Sequence, residues 1–73
     1  MEKDNIVISN NIKKYRKLTG LLQSEVARKL GISYSKYSNM ENSPSDYSLK
    51  ELKRLADFYG CNVYDFFIGC DNR

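Results

Sequence analysis

Between Ser33 and Asn42 the chain carries Ser35, Ser38, Asn39 and Asn42 at three- and four-residue steps, with Tyr34 beside them. On a helical wheel of about 100° per residue these side chains share one side, and Tyr37 and Met40 take the other. Small hydroxyls and carboxamides on one helix face suit the edges of nucleic-acid bases. An Asn can pair in bidentate fashion with adenine, and a Ser can donate or accept. An ordinary solvated helix face is usually richer in Glu and Lys, the better helix formers. A Ser- and Asn-rich face costs helix propensity, and a reading surface would explain that cost.

Charge points the same way. The 73 residues carry a formal net charge of +3. From Ser9 to Ser45 stand Lys13, Lys14, Arg16, Lys17, Arg28, Lys29 and Lys36 against Glu25 and Glu41, a local excess of +5. Asp46 to Arg73 sums to −1. A basic half on a near-neutral half suits a polyanionic partner. Lys13, Lys14 and Lys17 fall on the outer face of the first helical stretch, where one of them, taken as Lys13, is expected near a phosphate.

Other chemistries find little support. There is no histidine for acid–base work, and no phosphate-binding glycine loop. The serines lie in caps, a loop or the polar face without a base nearby, so no enzyme is expected. Cys61 and Cys70 are too few for a disulfide framework and are not spaced as C-x-x-C, and no metal or other cofactor is expected. Cys61 reads as a small apolar residue and Cys70 as a tail residue. The N-terminus is polar, and no run approaches the roughly 18 apolar residues that span a bilayer. A cytoplasmic protein without membrane contact is expected.

Five short helices must position the polar face, in an all-α domain covering residues 1–73 with its core at about 8–68. A chain this short buries only about 60% of its unfolded surface, so one thin core is the limit. The first helix runs from about Ser9 to Thr19, with Ile8, Ile12, Tyr15 and Leu18 as its apolar stripe and Gly20 as its stop. The second covers about Gln23 to Leu30, with Val26, Ala27 and Leu30 inward. Gly31 takes the left-handed backbone that ends it. The third starts at the Ser33 cap and ends near Asn42. Ser48 with Glu51 opens the fourth as a capping box, ahead of the stripe Leu49, Leu52, Leu55, Ala56 and Tyr59. The fifth follows Asn62 and uses Val63, Phe66 and Phe67. Pro44 marks the one clear loop.

Gln23-Ser24-Glu25-Val26-Ala27, Gly31-Ile32-Ser33 and Met40-Glu41-Asn42 together resemble the phage repressor and Cro type of helix-turn-helix, the XRE family. The resemblance extends from about Ile8 to Phe67 and implies a compact five-helix, lambda-repressor-like fold, with helices 2 and 3 as the helix-turn-helix. It implies that Tyr34, Ser35, Ser38 and Asn39 read bases. Gln23, Lys36 and Asn42 would hold the DNA backbone, and Arg16 with Glu41 would form a buried or half-buried ion pair that ties the first helix to the end of the third. Three departures stand out. Tyr37 replaces the usual Val or Ile, and its hydroxyl needs a partner. Ser43-Pro44 replaces a glycine and a basic residue, removing a common phosphate contact. Leu22 stands where a Ser, Thr or Asn often caps the second helix.

The implied function is transcriptional regulation, most simply repression, by a homodimer on a palindromic operator in double-stranded DNA. Tyr64, Phe67 and Ile68 are the candidate dimer residues. No small-molecule effector domain is expected. The alternative is an antitoxin or adaptor module of the same fold that works through a protein partner, because Lys36 is the one cation of the reading helix.

Overall fold

The computed structural model describes residues 2–70; the outermost positions of the expected 1–73 domain lie outside them. Four α-helices form the body: α1 (Glu2–Thr19), α2 (Gln23–Leu30), α3 (Tyr34–Asn42) and α4 (Leu49–Tyr59). Two 3-10 turns, Pro44–Asp46 and Val63–Phe67, complete it, and the described residues contain no strand.

The all-helical class stands and the count of five helices does not. Val63–Phe67 opens as a helix should: the Asn62 side chain accepts from Tyr64 N at 2.9 Å, and Asp65 accepts from Asn62 N at 3.1 Å. Its backbone then bonds at three-residue spacing, Asp65 N to Asn62 O and Ile68 N to Asp65 O. Ile68 is already extended, so the segment ends before it can settle into a four-residue ladder.

The first helix is longer than its apolar pattern. It begins at Glu2, not near Ser9. Asn5 explains the extension, since its Oδ1 accepts from Ser45 N at 2.9 Å and docks the added turns on the loop after α3. Midway along the helix Asn11 Nδ2 donates to the carbonyls of Phe66 (2.7 Å) and Ile68 (2.9 Å). Docking, not propensity, sets the length of α1.

The core gathers Ile12, Val26, Tyr37, Leu55, Ala56 and Phe66, with Ile8, Ala27, Met40, Leu52 and Val63 around them. Each large apolar side chain so buried contributes roughly 1.5–3 kcal/mol. Two stripe residues fail to join it. Leu18 is 73% exposed, because Thr19 and Gly20 turn the chain there and Leu21 packs in its place. Leu49 is also exposed, at the first position of α4, where it lines a surface groove with Tyr64, Phe67 and Ile68.

The α2–α3 junction is held three ways. Gly31 takes φ 73° and sends its N–H to Arg28 O, while Ile32 N bonds Ala27 O at 3.0 Å. Ser33 Oγ accepts from Lys36 N at 3.0 Å and opens α3. From α4, Arg54 Nη2 donates to Leu30 O at 2.6 Å and covers an otherwise unpaired carbonyl at the end of α2.

Candidate nucleic-acid interface

Helix α3 buries Tyr37, Met40 and Glu41 and turns the rest outward. Tyr34, Ser35, Asn39 and Asn42 are exposed and Ser38 is half-buried. Ser35 and Asn39 have no side-chain hydrogen bond among the described residues. Asn42 Nδ2 donates to Ser38 Oγ at 3.3 Å, which ties those two to each other. Lys36 leans toward α4 and pairs with Glu51 at 3.4 Å, so its charge is partly answered within the protein.

Gln23 begins α2 next to this face. Its Nε2 donates to Glu41 Oε1 at 2.9 Å, and its Oε1 accepts from the Tyr34 hydroxyl at 3.2 Å. Tyr34 therefore offers its ring to an incoming partner more than its hydroxyl. Leu22, the residue before Gln23, gives α2 no side-chain cap. Only the return half of a capping box exists, with Glu25 Oε1 accepting from Leu22 N at 2.8 Å. The Leu22 side chain is 65% exposed and shares a shallow groove with Arg16, Gln23, Ser24 and Tyr34. Its place beside Gln23 in sequence was the signal that it borders the polar face.

Arg16 and Glu41 form a charge-assisted pair, with Arg16 Nε 2.8 Å from Glu41 Oε2 and Nη2 3.2 Å from Oε1. Arg16 Nη1 also donates to Leu21 O at 3.1 Å, which fixes the turn between α1 and α2. The Glu41 side chain is 0% exposed. Burial pushes its carboxyl up, but hydrogen bonds from Arg16, Tyr37 and Gln23 more than reverse this and hold it below the ordinary carboxylate value.

The Tyr37 hydroxyl finds its partner in this group, donating to Glu41 Oε2 at 2.6 Å. It also lies 2.5 Å from the Tyr59 hydroxyl of α4. Burial pushes Tyr37 well above the usual phenol range and raises Tyr59 to about 12. Tyr59 was legible only as an apolar stripe residue. Its polar role depends on a neighbour 22 positions away, beyond any periodic signal.

The structure brings Gln23, Tyr34, Ser35, Ser38, Asn39, Asn42, Arg16 and Glu41 into one region. Lys13 is half-buried on α1, while Lys14 and Lys17 are exposed. Tyr64, Phe67 and Ile68 lie apart from it, around the groove that also includes Leu49. Among the described residues no group of three His, Cys, Asp or Glu could hold a metal ion, and no helix is long and apolar enough to cross a membrane. Burial pushes both cysteine thiols up, away from the reactive thiolate.

A glycine-hinged helix pair carrying a polar outward face next to a basic helix defines a helix-turn-helix domain. The helix-turn-helix family matches residues 12–66, and the chain belongs to that family in its XRE type. It is similar to an uncharacterised HTH-type transcriptional regulator of Methanocaldococcus jannaschii, 38% identical over 61 residues that cover 84% of this chain and 92% of the relative. No solved structure matches the chain significantly.

Proposed function

We propose that this DNA-binding regulator is a repressor that binds an inverted repeat as a homodimer, with α3 in the major groove. The observation that carries the reading is the α3 face: Ser35 and Asn39 stand exposed and uncommitted beside a Gln23 amide held in one orientation. Asn39 and Ser35 read base edges, the Tyr34 ring packs against them, and Ser38 supports Asn42. Gln23 and the uncapped first turn of α2 meet a phosphate, helped by Asn42, Lys36 and Lys13. The second copy covers the groove of Leu49, Tyr64, Phe67 and Ile68, with the whole chain acting as one domain. Occupation of a promoter in the cytoplasm then suffices for repression.

Selection from a random duplex pool at moderate salt tests this. Two half-sites related by inversion and about 34 Å apart are expected. A pool that enriches no inverted repeat overturns the reading. Asn39→Ala relaxes base preference at one position per half-site, with a loss of about 1–3 kcal/mol of discrimination. Gln23→Ala weakens all sequences alike.

A further inference from the structure

Glu41 accepts four hydrogen bonds, two at each oxygen, which fills its lone pairs. Arg16 Nε at 2.8 Å and the Tyr37 hydroxyl at 2.6 Å reach Oε2. Arg16 Nη2 at 3.2 Å and Gln23 Nε2 at 2.9 Å reach Oε1. An ionised carboxylate only accepts, so the Tyr37 hydrogen points at it. Tyr37 is then the acceptor in its 2.5 Å contact with Tyr59, whose hydroxyl donates. The Gln23 amide is fixed in the same way. Its NH2 end faces the carboxylate, because the flipped amide would set oxygen against oxygen, and its Oε1 faces Tyr34. One N–H of Gln23 remains, with its direction set.

We propose that Tyr37 and Tyr59 are positioning residues for DNA binding: their linked hydroxyls hold the Glu41 carboxylate in the orientation that aims the Gln23 amide at the DNA backbone. The chain of bonds runs from α4 (Tyr59) through α3 (Tyr37, Glu41) to α2 (Gln23) and back to the start of α3 (Tyr34). Core packing alone would be served by an aliphatic residue at position 37. The hydroxyl adds a second donor to Oε2, without which the carboxylate is freer to rotate and Gln23 loses a fixed acceptor. An amide ordered before binding does not have to be ordered during it.

The proposal rests on Gln23 contacting DNA, and the test keeps the two ideas apart. Affinity for a mixed-sequence duplex long enough for two half-sites is measured for Tyr37→Phe, Gln23→Ala and the double variant, all at a temperature where each is folded. Tyr37→Phe weakens binding about three- to tenfold. In the Gln23→Ala background the same change adds nothing. An equal loss in both backgrounds overturns the positioning role. If Gln23→Ala leaves affinity unchanged, the phosphate contact is lost as an idea, and the free protein still decides the positioning. There the side-chain amide NMR signals of Gln23 shift and broaden in Tyr37→Phe, and in the same direction but less in Tyr59→Phe. Gln23 signals that stay in place in both variants overturn it. Tyr59 is only half-buried, so Tyr59→Phe keeps the test open if Tyr37→Phe folds poorly.

Discussion

Glu41 is the residue on which fold and interface both turn. It places a negative charge inside the core and answers it with Arg16, which is itself largely covered. Removing one partner of such a pair strands the other. Arg16→Ala should cost about 3–5 kcal/mol in urea unfolding, and a cost under about 1 kcal/mol would show that Glu41 is satisfied without its cation. The folded carboxyl lies below its ordinary value of 4.5, so its contribution to stability is complete above that value and is lost as pH falls through the folded one. Unfolding curves across acid pH should show that loss in the wild type and a smaller or reversed slope in Arg16→Ala, because the cation that holds the folded carboxyl down against burial is gone. The pairing of Arg16 with Glu41 was legible through resemblance to a family. The hydroxyls of Tyr37 and Tyr59 were not, because aromatic residues at core positions give no hint of which polar atoms will meet.

Among the elements, caps and glycine stops were readable and helix extents were not. Ser33, Ser48 and Gly31 act locally, through bonds to residues one turn away, so their meaning is written nearby. The early start of α1, the exposure of Leu18 and the 3-10 character of Val63–Phe67 all depend on what lies across the molecule. α2 is the weak link among the helices, since Leu22 leaves its first turn uncapped. Leu22→Ser should raise stability by about 0.5–1 kcal/mol in thermal or urea melts. It should also weaken DNA binding, because a cap and a phosphate compete for the same N–H groups. A variant that is more stable and binds no less tightly would remove the phosphate from that turn.

At the scale of the molecule, the α3 face and the apolar groove share no residue, which would let one chain hold DNA and the proposed second copy together. Ile68 is 67% exposed and lines the groove with Tyr64 and Phe67. Ile68→Lys should turn a concentration-dependent dimer into a monomer in sedimentation, and a wild type that is monomeric at tens of micromolar, with and without DNA, would end the pairing model. The fold class was legible because helix punctuation recurs along the whole chain; the groove was legible only in part, since Leu49 reads as core by pattern. The clasp between α1 and the segment after α4 has a geometric consequence. Asn11 grips the Phe66 and Ile68 carbonyls, and Cys70 Sγ reaches the Asp4 carbonyl at 3.9 Å across 66 positions. Among the described residues, the start of α1 and the segment after Phe67 therefore lie in one neighbourhood. That neighbourhood adjoins the groove that Ile68 and Cys70 line, so the proposed second copy would dock close to the first turns of α1.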